Sequence, residues 1–431
     1  MKTMKLGKTG IDISRIGLGT WSIGGGSAWG GDHELQTVVD TIREAPKAGV
    51  NLIDTAPGYN FGNSEKILGK ALEKMNREEV VIITKCGVTW DQEMKGDLFN
   101  KVNGIQLYKN LNSESVKKEI VGSLERLGTD YVDVYMTHWQ SVEGSEYYVP
   151  IQKTMDVLNE LKAQGKIRAI GAANVDIDQI KEYLKWGDLD IVQAKYSILD
   201  RGIEDEIIPC CRENGVTIQA YSPLEMGLLS GTMPRDYQPV GAQIPKKWFQ
   251  PDNMQAAMDM MDKWKPLCEK YNCTIANLAL GWILAQGDFL NLLSGSTTVD
   301  QIKENVKSAE LELDPEDVAY MRELAEEIDA DTFASEVAVI RYSLDHLHDC
   351  VDHCFFILYK PFKNPRHDLV QIRRPELWRG AACAAAVAVN PALPDLLAAS
   401  LRFIELPVIA LAVFLADDFT AVWIAVVKIR A

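Results

Sequence analysis

Short apolar runs and amphipathic segments alternate along most of this chain. Eight runs rich in Val, Ile and Leu have the length of strands, and each is followed by a stretch with the spacing of an amphipathic helix. Strands that are buried on both faces read as continuous apolar runs, so the pattern indicates a parallel sheet. The predicted strands are Ile16–Trp21, Leu52–Thr55, Val80–Lys85, Tyr131–His138, Arg168–Ala173, Ile191–Ser197, Thr217–Ser222 and Phe289–Gly295.

Eight strand–helix units of this size fit an α/β fold, the (β/α)8 or TIM barrel, which takes about 250 residues. The predicted helices include Ser113–Arg126, Gln152–Ala163, Ile203–Glu213, Ile275–Ala285 and Val299–Ser308. The first 14 residues read as an N-terminal β-hairpin that turns at Thr9-Gly10. The stretch from Leu228 to Lys270 is too long for an ordinary connection, so we expect it to contain a loop that folds over the functional site.

The strand–helix alternation stops near Asp329–Asp331. We therefore expect a barrel domain over residues 1–330 and a C-terminal extension of undetermined structure over residues 331–431. Three alternatives remain for this extension: a fused segment, a non-native segment or a poorly ordered segment. Its apolar runs, Leu406–Ala416 and Phe419–Val427, are shorter than the roughly 20 residues that span a bilayer. We interpret them as buried or aggregation-prone rather than as a membrane anchor.

The extension also contains a dense group of His and Cys residues, His346–Cys354. Zn²⁺ prefers these side chains as ligands. Their spacing matches no standard zinc pattern, however, and a chance cluster explains them as well. We therefore predict no metal site in this chain.

Composition narrows the class of function. The 431 residues carry a net charge of −16, and no basic stripe that would attract nucleic acid is present. No apolar segment follows a basic start, so nothing indicates export. The eight cysteines are scattered without a disulfide framework, which suits a reducing cytoplasm. We expect a cytoplasmic protein that acts on a small molecule without nucleic-acid or membrane partners; the sequence leaves its oligomeric state open.

Four chemically useful side chains lie at or just beyond the ends of predicted strands: Asp54, Tyr59, Lys85 and His138. In a TIM barrel these ends form the functional face. A phenol has an ordinary pKa of about 10, and a nearby ammonium lowers that pKa. A carboxylate would keep the lysine charged, and an imidazole would hold a substrate oxygen. The set can therefore protonate a carbonyl oxygen while a bound cofactor delivers hydride.

Each of these residues also has an ordinary structural explanation. An Asp after an apolar strand is more often a cap or turn residue, and a lone Lys or His at a strand end is usually solvated. Tyr59, which follows a Pro-Gly turn, would usually pack in a loop. The coincidence of all four at the same end of a strand–helix series favours the catalytic interpretation.

The sequence resembles the aldo-keto reductases over about residues 4–329. The motifs that carry the resemblance are Gly17-Leu18-Gly19-Thr20-Trp21, Asp54-Thr55-Ala56-Pro57-Gly58-Tyr59, Gly62-Asn63-Ser64-Glu65, Gly165-Lys166-Ile167-Arg168-Ala169-Ile170-Gly171, and Gly295-Ser296 with Gln301 and Glu304-Asn305. Within the family, Phe61–Glu65, Met136–Ser141 and Ala194–Arg201 are similar to a bacterial branch that reduces methylglyoxal with NADH.

This resemblance implies an enzyme that reduces small aldehydes or 2-oxoaldehydes with NAD(P)H, methylglyoxal being the first candidate. Tyr59 would be the general acid, Asp54 and Lys85 the pair that lowers its pKa, and His138 the residue that orients the carbonyl. Two alternatives remain open, namely a redox-reporting binding subunit on the same barrel and a dehydrogenase that oxidises alcohols.

The resemblance also implies the residues that bind cofactor and substrate. Tyr221 would stack on the nicotinamide, and Asn174 and Gln193 would hydrogen-bond its carboxamide. The remaining cofactor-binding residues would be Gly19, Thr20 and Trp21 on the first loop, Ser222, Leu224, Gly227 and Leu229 along the pyrophosphate, and Gly295, Ser296, Gln301, Glu304 and Asn305 at the adenosine end. Trp21 and Trp139, with Trp29, would form apolar walls around the substrate.

The adenosine segment also bears on the choice between NADH and NADPH. A loop of Gly and Ser that opens a helix at Val299 offers backbone N–H groups to phosphate oxygens. Several NADPH-specific relatives carry Lys or Arg at the positions of Thr297 or Gln301, which are neutral here, and Asp300 adds a negative charge. We therefore expect NADH to be used at least as well as NADPH.

Overall fold

The computed structural model of this protein describes residues 2–331, 357–359, 370–371, 409–415 and 422–428. The chain divides into two compact units, Met1–Ser335 and Glu336–Ala431.

The first unit contains the closed barrel of eight parallel strands that the alternating pattern predicted. Each strand pairs with the next one along the chain, and the eighth pairs with the first. Every residue of the second, third and fourth strands is buried, because side chains fill the interior and helices cover the outside. The strands are β1 (Ile16–Gly19), β2 (Leu52–Asp54), β3 (Val81–Cys86), β4 (Val132–Thr137), β5 (Ile167–Ala173), β6 (Ile191–Lys195), β7 (Thr217–Tyr221) and β8 (Leu290–Gly295).

Helices follow each barrel strand, and local sequence signals set their ends. Asp176 and Gln179 cap the start of α5 reciprocally, and Gly128 ends α3 with a φ of 66°. In chain order the helices are α1 (Leu35–Glu44), α2 (Asn63–Leu72), α3 (Ser113–Leu127), α4 (Ile151–Ala163), α5 (Ile177–Trp186), α6 (Ile207–Asn214), α7 (Pro251–Lys263), α8 (Lys265–Tyr271), α9 (Ile275–Leu284), α10 (Val299–Lys307) and α11 (Pro315–Asp331).

Several predicted strands end one or two residues early. The first predicted strand reached Trp21 and the fourth reached His138, whereas β1 ends at Gly19 and β4 at Thr137. These aromatic residues and Ser222 therefore belong to the loops at the carboxyl end of the barrel. A chain that leaves the barrel can turn its polar side chains towards a ligand, which favours a site at this end.

Two β-structures decorate the barrel. The predicted N-terminal hairpin is present, with Thr3–Lys5 paired to Asp12–Ser14. A second, antiparallel sheet of three short strands lies between β3 and α3, formed by Val88–Thr89, Asp97–Val102 and Ile105–Lys109. This sheet was not predicted, because its longest strand, Asp97–Val102, has no buried residue and therefore no continuous apolar run.

The long stretch after β7 was predicted to contain a covering loop. It contains short 3₁₀ turns at Glu225–Ser230, Gly241–Gln243 and Lys247–Phe249, followed by the whole of α7. Gln243 links two parts of this stretch, because its Nε2 donates to the carbonyl of Met226 in the first of these turns at 3.2 Å. The insertion is therefore structured rather than a simple connection.

The second unit contains a four-stranded sheet whose neighbouring strands are antiparallel. Its strands are Ile357–Tyr359, Val370–Gln371, Ile409–Leu415 and Val422–Lys428. The two apolar runs noted in the sequence supply the last two of these strands, which pair with each other. His346–Cys354 lies outside the described residues. Across the part of the chain that the structure describes, helices are too short or too polar to cross a bilayer.

Candidate active site

Asp54, Lys85 and Tyr59 meet at the carboxyl end of the barrel, as the sequence predicted. Asp54 is the last residue of β2, and Lys85 lies next to the end of β3. Nζ of Lys85 donates to the two carboxylate oxygens of Asp54 at 2.7 and 2.8 Å and to the carbonyl of Thr55 at 3.0 Å. It also donates to the hydroxyl oxygen of Tyr59 at 3.0 Å. Because that oxygen accepts from Lys85, the phenolic proton can point towards a ligand.

His138 lies on the other side of Tyr59. The two rings are 5.6 Å apart between centroids and nearly perpendicular, at 82°. The backbone N–H of His138 donates to the carbonyl of Cys86 at 2.8 Å, which fixes the residue beside β3. Tyr59 and His138 are both half-buried, whereas Asp54 and Lys85 are fully buried. The cluster is therefore closed on the ion-pair side and open on the phenol and imidazole side.

Burial dominates the electrostatics of this cluster. It raises the pKa of Asp54 and lowers the pKa of Lys85, while the attraction between the two charges opposes both shifts. It also lowers the pKa of His138 well below the ordinary value, and the charge of Lys85 acts in the same direction. The imidazole is therefore neutral at neutral pH and can donate or accept a single hydrogen bond at each nitrogen.

The pKa of Tyr59 differs from the sequence-based expectation. We expected the ammonium of Lys85 to lower it, but burial raises the pKa of Tyr59 well above 10, and the charges of Asp54 and Tyr221 add to that rise. Removal of the phenol from water beside a carboxylate favours its protonated form. The phenol keeps its proton at neutral pH, which a proton donor requires.

Asn174 and Tyr221, both assigned to the nicotinamide by resemblance, contact each other. The hydroxyl of Tyr221 donates to Oδ1 of Asn174 at 2.8 Å, and Nδ2 of Asn174 donates to the carbonyl of His138 at 2.9 Å. Asn174 has a φ of 54° and Ser222 a φ of 53°, a left-handed backbone that non-glycine residues adopt at some cost. Backbone strain directly after β5 and β7 is typical of a functional site.

Gln193, the other residue assigned to the carboxamide, points into the barrel. Its Nε2 donates to Oδ2 of Asp54 at 2.9 Å and to Oε1 of Gln219 at 2.6 Å. A bound carboxamide would therefore meet the carbonyl oxygen of Gln193 rather than its N–H groups. The sequence analysis missed Gln219; a polar residue in the middle of an apolar strand was the signal that could have identified it.

The segment assigned to the pyrophosphate is a strained turn. Glu225, Met226 and Gly227 follow one another with φ values of 45°, 54° and 99°. The carboxylate of Glu225 is buried, accepts from the hydroxyl of Ser197 at 2.6 Å and lies 3.0 Å from Nζ of Lys195. Sequence reasoning missed Glu225, which holds the backbone of this turn in place. Of the predicted residues here, Leu229 is buried, whereas Ser222, Leu224 and Gly227 are half-buried.

At the assigned adenosine end, the predicted residues make different contacts. Nδ2 of Asn305 donates to the buried Ser296 hydroxyl at 3.1 Å, which supports the loop after β8. Oε1 of Gln301 accepts from the backbone N–H of Thr297 at 2.8 Å. Glu304 accepts from the hydroxyl of Thr274 at 2.9 Å. Asn305 and Gln301 therefore hold the Gly-Ser loop through hydrogen bonds to Ser296 and Thr297. Gly295 itself is exposed.

Aromatic side chains border the phenol. The ring of Trp21 lies 6.2 Å from that of Tyr59 and 5.1 Å from that of Trp29. Trp139 instead packs against Phe99 of the three-stranded sheet, at 5.5 Å. Trp21 and Trp29 thus form one continuous apolar wall beside Tyr59, and Trp139 belongs to a second wall.

The first loop is anchored behind this wall. The hydroxyl of Thr20, which is fully buried, donates to the carbonyl of Asp54 at 2.8 Å, and Gly19 pairs with Asp54 in the sheet register. Gly19 and Thr20 therefore support β2 from the neighbouring strand. Among the described residues no group of His, Cys, Asp and Glu side chains is arranged to hold a metal ion.

Known proteins match the barrel and its motifs. The sequence profile of the Aldo/keto reductase family matches residues 15–326. The chain is 58% identical over 329 residues to the NADH-specific methylglyoxal reductase of Escherichia coli (strain K12), which covers 76% of this chain and 100% of that protein. It is 36% identical to the aldo-keto reductase YhdN of Bacillus subtilis (strain 168), over 66% of this chain and 82% of that one.

A solved structure agrees with these sequence matches. The glycerol dehydrogenase AKR11B4 from Gluconobacter oxydans superimposes with a TM-score of 0.65 at 29% identity, over 76% of this chain and 94% of that chain. The family profile spans the whole barrel, and the related bacterial reductase is covered from end to end. The chain therefore belongs to the aldo/keto reductase family.

Proposed function

We propose that this protein is a cytoplasmic reductase that converts methylglyoxal and related small 2-oxoaldehydes to alcohols with NADH. The observation that carries the proposal is the hydrogen-bonded group of Asp54, Lys85 and Tyr59, buried on one side and open on the other. Members of the family are NAD(P)H-dependent oxidoreductases that reduce carbonyl compounds. The relative with 58% identity is named an NADH-specific methylglyoxal reductase.

The side chains at the open end of the barrel fit a ligand that brings hydrogen-bonding groups. Nδ1 of His138 and Nε1 of Trp29 are buried and find no hydrogen-bond partner among the described residues. An unsatisfied buried polar group costs about 1–3 kcal/mol, so a bound oxygen or nitrogen would relieve that cost. The strained turn Glu225–Gly227 presents backbone groups at the same end, as phosphate-binding turns do.

The residues that would hold NADH run from the phenol to the helix after β8. Tyr221 and Asn174 lie beside His138, where the nicotinamide is expected. The pyrophosphate would lie along Ser222, Leu224, Gly227 and Leu229, and the adenosine end along Gly295, Ser296, Gln301, Glu304 and Asn305. The bound dihydronicotinamide supplies the hydride.

The protein supplies the proton and the orientation. Tyr59 donates its proton to the carbonyl oxygen, and the neighbouring ammonium of Lys85 stabilises the phenolate that remains. Asp54 keeps the ammonium charged in a buried position. The neutral imidazole of His138 holds the same carbonyl oxygen, and its low pKa makes this role independent of pH near neutrality.

The substrate is proposed to be small and uncharged. Trp21 and Trp29 place apolar surface beside Tyr59, which suits a small uncharged carbonyl compound. A substrate panel tests this assignment, with kcat/KM measured for methylglyoxal, other small 2-oxoaldehydes and aromatic aldehydes. Equal turnover of methylglyoxal and unrelated aromatic aldehydes would refute it.

The cofactor preference is proposed from the loop after β8. Oε1 of Gln301 already accepts a hydrogen bond from the backbone N–H of Thr297. Asp300 is an exposed carboxylate in the same turn, and its negative charge disfavours a 2′-phosphate. Cations, most often Arg, usually provide that recognition. The test compares kcat/KM for NADH and NADPH at saturating methylglyoxal. A tenfold preference for NADPH, about 1.4 kcal/mol, would overturn this part of the proposal.

The cytoplasmic location is proposed from the thiols. Every cysteine in the described part of the chain is free: Cys86, Cys210, Cys211, Cys268 and Cys273. Free thiols persist in reducing compartments. Fractionation of cells that express the protein, followed by immunodetection, tests the location.

A further inference from the structure

Three carboxamide side chains form a continuous row through the interior of the barrel. Gln193 of β6 pairs in register with Gln219 of β7, and Gln219 pairs with Asn291 of β8. Their exposed fractions are 3%, 0% and 0%. Barrel interiors are usually filled with Val, Ile and Leu, so three adjacent buried amides are unusual and must satisfy one another's hydrogen bonds.

The row has one direction of hydrogen-bond donation. Nδ2 of Asn291 donates to the backbone carbonyl of Ser14 at 2.8 Å. A carbonyl can only accept, so Oδ1 of Asn291 must face Gln219, whose Nε2 donates to it at 2.7 Å. Oε1 of Gln219 then accepts from Nε2 of Gln193 at 2.6 Å, and Nε2 of Gln193 also donates to Oδ2 of Asp54 at 2.9 Å. A backbone carbonyl at the far end therefore sets the orientation of the N–H group that contacts Asp54.

We propose that Gln219 and Asn291 are positioning residues for the proton-donating cluster, acting through Gln193 on Asp54. The inference rests on the proposed function, in which Lys85 must remain charged beside Tyr59. An N–H group directed at Oδ2 stabilises the carboxylate over its protonated form. The row therefore keeps Asp54 ionised and turned towards Lys85, although both groups are fully buried.

Loss of the row has a defined electrostatic consequence. Without Gln219, the amide of Gln193 loses the acceptor that fixes its orientation, and Asp54 loses a directed N–H group. Burial already works against the charge of Lys85, so a weaker carboxylate partner allows the ammonium to lose its proton at a lower pH. The activity that depends on this ammonium then disappears at a lower pH as well.

The test uses the full-length protein and two substitutions of similar volume, Gln219→Met and Asn291→Leu. The first measurement is the pH profile of kcat/KM for methylglyoxal with NADH, from pH 6 to 10. The second is the pKa of Lys85 in the protein without cofactor, followed by NMR of its labelled side chain. We expect a fall in kcat of about tenfold, and the high-pH limb and the pKa of Lys85 should both move down by about one unit, since a hydrogen bond to a charged group is worth roughly that much.

A matched control removes a buried amide elsewhere. Asn253 of α7 is 5% exposed and donates to the carbonyl of Lys247 at 2.8 Å. Asn253→Leu should lower the melting temperature and leave both the high-pH limb and the pKa of Lys85 unchanged. If Asn291→Leu fails to fold, Asn291→Ala removes the same amide without adding bulk and takes its place.

The outcomes separate this inference from the proposed function. Gln219→Met and Asn291 variants that lose stability but keep the wild-type limb and the wild-type pKa of Lys85 would show a purely structural row, and the inference would be wrong. A wild-type protein that does not reduce methylglyoxal with NADH would refute the proposed function instead. The NMR titration of Lys85 needs neither substrate nor cofactor, so it decides the role of the row in both cases.

Discussion

Lys85 and Asp54 form an ion pair, 2.7 Å between Nζ and Oδ1, in which neither side chain has exposed surface. Such a pair loses the hydration of both charges, and removal of one partner leaves the other charge buried without compensation. Gln193 and the carbonyl of Thr55 supply additional hydrogen bonds that offset this cost. Loss of one partner therefore affects the fold as well as the proposed proton donor, and variants of the pair must be tested for both.

Lys85→Met should abolish most activity and destabilise the protein. The substitution removes the ammonium beside Tyr59 and leaves Asp54 buried without a cation. We expect kcat to fall by about 10²–10⁴-fold and the free energy of unfolding to fall by about 3–5 kcal/mol, measured by steady-state kinetics and urea unfolding. The double variant Lys85→Met with Asp54→Leu removes both charges, so it should recover stability without recovering activity. Recovered activity in the double variant would contradict the proposed role of Lys85.

Tyr59→Phe should remove the proton donor and keep the fold. The hydroxyl of Tyr59 accepts from Lys85 at 3.0 Å, and the ring stays packed between Trp21 and His138. We expect a loss of about 10²–10⁴-fold in kcat with unchanged NADH affinity, measured by quenching of protein fluorescence. A variant that retained half of the wild-type activity would show that Tyr59 is not the general acid.

The barrel could be predicted from the sequence because its parallel strands are buried on both faces. Strands such as β3 and β4 can be recognised in the sequence as continuous apolar runs. The residues at the carboxyl end of each run lie at the functional end of the barrel. Asp54, Lys85 and His138 could be grouped for this reason before any distance was known. Tyr59 could be added because it follows Asp54 closely in the same loop.

Other features depend on contacts between distant segments, which one sequence does not reveal. Gln219 and Asn291 looked like isolated polar residues in apolar strands, and only the register places them side by side. The charge of Glu225 is balanced by Lys195 of another strand end. The pKa of Tyr59 depends on how much water the fold excludes, so the lowered value expected from Lys85 alone was wrong.

Gly69→Ala should destabilise the packing of α2 against α3. A Cβ atom at position 69 would clash with the carbonyl oxygen of Arg126 and lie 3.2 Å from Cα of Leu127. We expect a loss of about 1–3 kcal/mol in the free energy of unfolding, the usual cost of overpacking. Gly202 is an exposed glycine whose added Cβ would have its nearest neighbour 4.0 Å away, at Asp200, so Gly202→Ala is the control. Equal stability of the two variants would show that the helices can separate without cost.

Truncation after Asp331 should leave an active protein, which tests the proposed boundary of the barrel domain. The barrel strands and every proposed site residue precede α11, and α11 itself packs on the barrel unit through the buried Met321 and Ala325. Nε1 of Trp282 donates to the carbonyl of Val318 in α11 at 3.1 Å. Truncation after Asp314 removes this helix and should lower the melting temperature sharply. An insoluble or inactive 1–331 protein would show that the extension completes the barrel or the site.

Glu119 of α3 should make the stability of the protein fall as the pH rises. Its carboxylate accepts from the backbone N–H of Gly87 and the hydroxyl of Ser115, both at 3.0 Å. Burial raises the pKa of Glu119 to about 8, although hydrogen bonds from Ser115 and Gly87 oppose the rise. In the unfolded chain the pKa of Glu is about 4.3. The folded protein therefore holds this proton more tightly, and folding loses stability between about pH 4.3 and pH 8.

Glu119→Gln removes this titration, so the variant should be more stable than the wild type above pH 8. The difference in the free energy of unfolding between variant and wild type should increase by about 1–3 kcal/mol from pH 5 to pH 9. A fully buried carboxyl would give a larger difference in the free energy of unfolding, but Glu119 keeps part of its surface exposed. Urea unfolding at both pH values measures the difference, and Glu125→Gln, at an exposed position of α3, controls for the loss of one negative charge. If the free energies of unfolding of Glu119→Gln and wild type differ by the same amount at pH 5 and pH 9, Glu119 has the same pKa in the folded and unfolded states.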